Sequence, residues 1–436
     1  MTFNPFTYSG ALKEPRRFIG RREQMAEIFQ AIHGTASVSV VGERQIGKSS
    51  LLRYIADPTV EHKCSLEPDR HVFVYFDFQG LSSITPFQFW RLLLGQAMPI
   101  LSDETLNSDV LRVATQESIE LSDVFGLLQS FERRQKRLVF LLDTFDSAAQ
   151  NPHFDVNFFR GLRNLVNNFS LSFILASRYM LQELRYAHKN ILTSSFFNAF
   201  RPICLPAFTP QEVNDLLDAA LVDSEIQFTH ADRVFIDHVA GPHPCFVQMA
   251  AHHVFEAYDS GCTLPDGQPD TRWIVARLRD YGAGHLRHCW DNSENGEKII
   301  LVSLALAGRG RALQFDLPAH FARHPTYAQA WQSLERRALV TADERSQWHT
   351  FSLLLDSWLT DTFAFIPNDR ADDLAALIEQ TRLKDLRQDW MDRTERLRRG
   401  YAWIDGQAIF RTLLAEKEPQ VALDLLSQIV LYYLPH

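Results

Sequence analysis

Residues 36–52 read ASVSVVGERQIGKSSLL, and the rest of the chain is organised around them. Ala36 to Val41 is a short, Val-rich apolar run of the kind that forms a buried strand. Gly42-Glu43-Arg44-Gln45-Ile46-Gly47-Lys48-Ser49 fits G-x-x-x-x-G-K-[ST], and Ser50 to Ile55 opens a helix. Strand, loop and helix in that order are the context that makes the pattern a phosphate-binding loop. The chemistry asks for these residue types. Gly42 and Gly47 let the backbone curl until successive N–H groups face a polyphosphate. Lys48 supplies a point charge for the β- and γ-phosphates, Ser49 a hydroxyl for Mg²⁺, and the helix N-terminus its partial positive charge. A nucleotide with Mg²⁺ is the expected ligand.

At 436 residues the chain has room for two to four domains with substantial cores. Its net charge of −9 gives no whole-protein attraction to nucleic acid or anionic lipid, although a local basic face remains possible. The five cysteines are widely spaced and form no C-x-x-C, which fits a reducing compartment and gives no zinc signature. His252 and His253 are adjacent, so on a helix their side chains should diverge. The first fifteen residues lack a basic region followed by an apolar core, and runs such as Ile299 to Ala307 are far too short to span a bilayer. A cytoplasmic location without membrane contact is expected.

Residues 1–17 are rich in turn formers and read as an extended lead-in. Phe18-Ile19-Gly20-Arg21 follows, and then Glu23 to Ile32 has helical spacing. His71 to Gln79 (HVFVYFDFQ) alternates aromatic and β-branched residues as a strand does, while Phe87–Ile100 and Val110–Phe131 read as helices. Leu138 to Phe145 (LVFLLDTF) is an apolar run that delivers Asp143 near its end. Parallel α/β sheets place ligands at the carboxyl ends of their strands, so Asp143 is expected beside Ser49 and Mg²⁺.

Many hydrolytic relatives of such loops carry Glu directly after that acid. Here the position holds Thr144, which cannot act as a base, and the next acid is Asp146. Two readings of Asp146 stand: the base, or a cap for the following turn. Phe158–Asn167 is an amphipathic helix. Leu171 to Arg178 is a further strand whose tip carries Arg178, either a γ-phosphate contact or a solvated strand end. Ala199–Pro206 gives a fifth strand. Five strands interleaved with helices make a doubly wound, three-layer α/β domain.

From Thr209 the periodicity is helical, with Thr209 as N-cap and Pro210 at the first helical position. Gly241-Pro242-His243-Pro244 breaks it before the helix Cys245–Tyr258. Residues 294–365 read as helices followed by Leu339–Ala342, a polar turn and Trp348–Phe351, a winged-helix-like order with nearly balanced charge. Residues 370–401 carry a helical apolar stripe with acid-first i,i+4 pairs such as Asp389/Arg393, and Ile404–Ala415 and Pro419–Tyr433 read as two more helices. The expected partition is 1–35 lead-in and adenine-loop helix, 36–205 nucleotide domain, 206–290 helical lid, 291–365 winged-helix-like domain and 366–436 helical tail.

Together, Asn4-Pro5-Phe6, Phe18-Ile19-Gly20-Arg21, GERQIGKSSLL at 42–52, LLDTFD at 141–146, Phe158 to Arg163, Ser177-Arg178, Ser195 to Asn198 and Gly241-Pro242-His243-Pro244 resemble the STAND class of P-loop NTPases, in its bacterial AAA-like branch. The resemblance covers about residues 3–365. It implies an ASCE-type P-loop fold with an all-α lid and a winged-helix domain. It also implies a switch that is closed with ADP and open, often oligomeric, with ATP. Phe18, Ile19, Gly20 and Arg21 would then border the adenine, Pro244 would press on the base or ribose, and Lys48, Asp143, Asp146 and Arg178 would do the chemistry. Thr144 is a departure that points to slow turnover. Two other functions compete: a DNA-associated initiator-like ATPase, which the acidic balance does not support, and a nucleotide-binding scaffold without hydrolysis.

Overall fold

Every residue of β1 (Ser37–Val41) is buried, as its apolar run requires of a strand covered on both faces. The computed structural model describes residues 3–12, 14, 17–61, 66–67, 70–184, 186–188, 191–307, 325–342, 347–362, 365–366 and 403–404. They divide into two units, Ser9–Pro206 and a second composed of Met1–Tyr8 with Ala207–His436.

In the first unit β1 is joined by β2 (His71–Asp77), β3 (Arg137–Asp143), β4 (Leu171–Ser177) and β5 (Phe200–Cys204). The strands lie in the order β2-β3-β4-β1-β5, and every pairing is parallel. The helices of this unit are α1 (Arg22–His33), α2 (Lys48–Ala56), α3 (Pro58–Glu61), α4 (Pro86–Ala97), α5 (Glu104–Ala114), α6 (Leu121–Arg133), α7 (Phe145–Ala149) and α8 (Val156–Asn168). Strand parity sorts the faces. Val72, Val74 and Phe76 of β2, Leu138, Phe140 and Leu142 of β3, and Phe173 and Leu175 of β4 form one core with residues of α4, α5, α6 and α8. The opposite face meets α1 and α2, with α2 touching β2, β3 and β4. This is the expected three-layer sheet.

Aromatic packing dominates the first face. Phe78 stacks on Phe89 with centroids 5.7 Å apart, and Phe154 stacks on Phe158 at 4.1 Å. Phe78, Phe89 and Phe154 are fully buried, each worth about 1.5–3 kcal/mol of transfer free energy. The helix ends follow local chemistry. Thr85 and Gln88 form a reciprocal capping box ahead of α4, and Asp155 accepts from the Asn157 and Phe158 N–H groups at the start of α8.

One expected helix is two. The stretch read as continuous from Val110 to Phe131 breaks between Ala114 and Leu121. Thr115 turns its hydroxyl back to the Leu111 carbonyl at 2.8 Å, and Glu120 with Asp123 forms a new capping box. Apolar spacing persisted through the break; the polar residues that terminate and restart the helix decided it.

In the second unit Thr209 and Glu212 box the start of Pro210–Leu221, followed by helices His230–Ala240, Pro244–Asp259 and Thr271–Asp291. The first residues of the supposed lead-in belong here. Phe6, 1% exposed, stacks on Phe228 at 5.4 Å and meets Phe255 edge-on at 6.4 Å. Asn4 donates to the His252 carbonyl at 3.0 Å, and His252 Nδ1 donates to the Phe6 carbonyl at 2.8 Å. His252 and His253 also converge rather than diverge. Glu256, four and three residues on, lies 3.4 Å from His252 Nε2 and 2.7 Å from His253 Nδ1.

Further along are helices Asn295–Ala307 and Pro325–Arg336, an antiparallel pair Val340–Ala342 with Trp348–Thr350, and helix Leu353–Thr362. A buried ion pair, Arg337 with Glu297 at 2.8 Å, ties the first of these helices to the turn after the second. Gly241 has φ 61°, and a Cβ there would meet the Phe351 carbonyl oxygen at 1.6 Å, so only glycine fits. The tail helices expected over 370–401, 405–415 and 419–433 lie outside the described residues. Ile404, expected in a helix, pairs with Phe365 in a two-residue strand.

Candidate functional site

The loop between β1 and α2 is fixed before any ligand is considered. The Gly42 N–H donates to the Ser177 carbonyl at the tip of β4, at 3.2 Å. A Cβ on Gly42 would lie 2.8 Å from Ile46 Cγ2 and 3.4 Å from Leu205 Cβ, so the turn closes only without a side chain. Gln45 and Gly47 take left-handed backbone, φ 62° and 106°, which curls the chain into the start of α2. Lys48 opens that helix and bends back over the loop, donating to the Gly42 and Glu43 carbonyls at 2.7 and 2.9 Å. Its ammonium thus sits at the mouth of the curl. Desolvation pushes its pKa down, opposed by Glu43, Asp146 and Asp143 in that order. Ser49 is half-buried beside it, and Ser50 accepts from the Leu12 N–H at 3.1 Å.

The acids come from the neighbouring strand ends. Asp143 closes β3, where its Oδ1 accepts from the Thr144 N–H and its Oδ2 from the Tyr75 hydroxyl, each at 2.8 Å. Burial pushes the Tyr75 hydroxyl up, and the Asp143 carboxylate adds to it, so Tyr75 is a fixed donor. Thr144 holds left-handed backbone at φ 53° and donates its hydroxyl to Asp77 Oδ1 at 2.7 Å. Asp146, in the first turn of α7, accepts from the Arg178 N–H at 3.2 and 3.1 Å. Burial raises its pKa, against the pull of Lys48 and the Arg178 N–H. Arg178 Nε lies 3.7 Å from the carboxylate of Glu43, which is fully buried. Glu43 also accepts from the Arg44 N–H at 2.8 Å.

Of the residues singled out in the sequence, Glu43, Lys48, Asp143, Asp146 and Arg178 therefore share one electrostatic neighbourhood. The Phe18–Arg21 segment borders the loop. The Phe18 ring stacks on Tyr54 of α2 at 4.5 Å, and Gly20 and Arg21 both take positive φ, at 78° and 64°. Arg21, 2% exposed, donates to the Ile46 carbonyl at 3.0 Å and to the Pro206 carbonyl at 2.5 Å. Pro244 lies in the other unit, buried as the first residue of its helix. Tyr75 and Asp77 were missed by the sequence reading. Their signal was present, since alternation along HVFVYFD puts Tyr75 and Asp77 on one face with the acid at the strand end.

A parallel sheet of order β2-β3-β4-β1-β5, a glycine-closed loop and lysine after β1, and an acid ending β3 together define a P-loop NTPase. The family described as Novel STAND NTPase 2 matches residues 30–305, more than half of the 436-residue chain, and the chain belongs to that family. No curated protein matches it. Among solved structures, the Walker-type ATPase PABY2304 of Pyrococcus abyssi is similar over 80% of this chain and 98% of its own, with TM-score 0.51 and 12% identity. The Aeropyrum pernix ORC2 protein, in ADPNP–ADP complexes, is similar over 81% of this chain and 99% of its own, with TM-score 0.49 and 13% identity. At these identities the first likeness speaks for the fold. Among the described residues no helix is long and apolar enough to cross a membrane.

Proposed function

We propose that this chain is a nucleotide-operated switch: it binds ATP or ADP with Mg²⁺, hydrolyses ATP slowly, and relays which nucleotide is bound to a protein partner or to further copies of itself. In this reading the loop Gly42 to Ser50 cradles the phosphates through backbone N–H groups other than those of Gly42, Arg44 and Ile46, which donate within the protein, with the side chains of Glu43, Arg44, Gln45 and Ile46 shaping the loop. Lys48 neutralises the β- and γ-phosphates, and Ser49 with Asp143 would hold Mg²⁺. Phe18 to Arg21 border the base, and Arg178 reads the γ-phosphate. The residues suit the group, because the Gly42 turn leaves no room for a Cβ and Lys48 is already directed over the loop. This reading keeps the division into 1–35, 36–205, lid 206–290, winged-helix-like 291–365 and tail 366–436, except that residues 1–8 go with the second unit and Pro206 with the first.

The observation that carries the switch is the pair Glu43–Arg178. A γ-phosphate is the anion able to compete with a buried carboxylate for that guanidinium, and ADP lacks it. A contact made by only one of two ligands is what biases a two-state element. Thr144 favours a second reading, a scaffold that binds nucleotide without turnover.

Phosphate release and particle mass, measured with ATP, ADP and a non-hydrolysable ATP analogue beside Lys48→Ala, test the proposal. Assembly with ATP or the analogue but not ADP, lost in Lys48→Ala, is expected. Binding without assembly or turnover would leave the scaffold, and no binding at all would overturn both readings.

A further inference from the structure

The residue after Asp143 is a threonine, yet a carboxylate lies at its tip. Asp77 ends β2 as Asp143 ends β3, and the two are paired in the parallel register. Parity places Tyr75, Asp77 and Asp143 on the face against which α2 packs, and Arg53 of α2 indeed lies over the Tyr75 ring at 5.1 Å. The Thr144 hydroxyl donates to Asp77 Oδ1 at 2.7 Å. A glutamate at position 144 would extend its carboxylate two bonds beyond the level of that hydroxyl, the gap that the hydrogen bond spans. Asp77 therefore holds a carboxylate close to where the absent glutamate would have put one.

The other acids of the site are committed. Asp143 accepts from Tyr75 and from Thr144, Asp146 from the Arg178 N–H, and Glu43 from the Arg44 N–H while paired with Arg178. Both hydrogen bonds to Asp77, from Thr144 and from the Gln79 N–H at 2.9 Å, fall on Oδ1. Its Oδ2 has no partner among the described residues, and the residue is half-buried, open to water. The backbone of Thr144 is held in left-handed conformation, φ 53°, costly for a β-branched residue, and that conformation accompanies the link to β2.

We propose that Asp77 is the general base for ATP hydrolysis and that Thr144 is its positioning residue, the pair doing from two strands what one glutamate does from one. The assignment rests on the hydrolytic reading above. In the step, the oxygen of water bonds to the γ-phosphorus. The bond from that phosphorus to the bridging oxygen breaks, and its electron pair leaves on ADP. The water proton passes to Asp77 Oδ2 and on to solvent.

The test uses the full chain with Mg·ATP and measures phosphate release beside equilibrium affinity for ATP and ADP. Asp77→Asn should lose 100-fold or more in turnover, within the 10²–10⁴ typical of a general base, with both affinities within about twofold of wild type. Thr144→Val should lose about tenfold, whereas Thr144→Ser, which keeps the hydroxyl, should recover most of that loss. Thr144→Glu combined with Asp77→Asn should restore turnover, which separates a lost base from a damaged fold. Asp77→Asn turning over within twofold of wild type would overturn the assignment alone. A wild-type chain that binds ATP and releases no phosphate would overturn the hydrolytic reading and the assignment with it.

Discussion

Arg21 Nη2 donates to the Ile46 carbonyl at 3.0 Å, so the residue just before α1 holds the phosphate loop from behind. Its Nη1 reaches the Pro206 carbonyl, beyond the end of β5. A planar fork can serve two carbonyls at once, and an ammonium serves them poorly. Arg21→Ala is expected to cost about 2–4 kcal/mol by leaving buried acceptors without this donor, with Arg21→Lys recovering little. Urea unfolding of the full chain checks it. ADP affinity should fall alongside, by about tenfold, because about 1.4 kcal/mol of lost loop order has that effect.

Glu43 opposes a third phosphate by its charge and by occupying Arg178. Glu43→Gln keeps an acceptor for the Arg44 N–H while removing both effects. It is expected to strengthen ATP binding relative to ADP by about threefold to tenfold, an effect of about 1 kcal/mol. Calorimetric titration of the two nucleotides reads this ratio directly. An unchanged ratio would mean that Arg178 does not discriminate between them.

Gly241 offers a sharper structural test. Its φ of 61°, and a Phe351 carbonyl oxygen only 1.6 Å from where an alanine methyl would stand, leave no small adjustment. Gly241→Ala should destabilise the second unit by about 3 kcal/mol or more, combining backbone strain with overpacking. Thermal unfolding would show it as a lowered melting temperature.

His71 makes the chain acid-sensitive in a defined window. Burial, reinforced by Arg137 and Arg70 and opposed by Glu67, pushes its pKa from 6.5 down to about 4, and neither ring nitrogen has a hydrogen-bond partner among the described residues. Above pH 6.5 the imidazole is neutral in folded and unfolded chains alike. As the pH falls from 6.5 towards 4, only the unfolded chain takes up the proton, so stability drops, and the loss levels off once the folded form also titrates. The loss is on the order of 3 kcal/mol. His71→Leu should flatten this limb of a stability–pH curve measured by denaturant titration.

The frame of the nucleotide domain was legible because its signals are local. A Val-rich run, a glycine-closed loop and an apolar strand ending in Asp143 each declare themselves within about ten residues. Side-chain partnerships across strands were not legible. Thr144 and Asp77 are 67 residues apart in sequence and meet only because β2 and β3 pair in that register. That Arg21 borders the base is what the resemblance implies; that its guanidinium also donates to backbone carbonyls is a relation visible only once β5 has returned beside β1. The His252–His253 pair misled for a geometric reason. Adjacent helical positions diverge at Cβ, yet both rings can turn to a shared acid one turn later.

The docking of Asn4 to Tyr8 joins the second unit from two segments that flank the first in sequence. Phe6 meets His252 across 246 positions of sequence, and between them lies a unit whose first and last strands, β1 and β5, pair with each other. The intervening sheet can be completed on the ribosome while Phe6, already synthesised, has no surface to bury itself in. During synthesis the second unit can therefore be completed only after the first has been made, and the entropy of closing the intervening loop grows only with the logarithm of its length. A circular permutation that joins residues 3–8 to the chain just before residue 207 would convert that late, long-range closure into a local one. A deletion of the same few residues would injure not their neighbours in sequence but a helix that the ribosome delivers some 240 residues later.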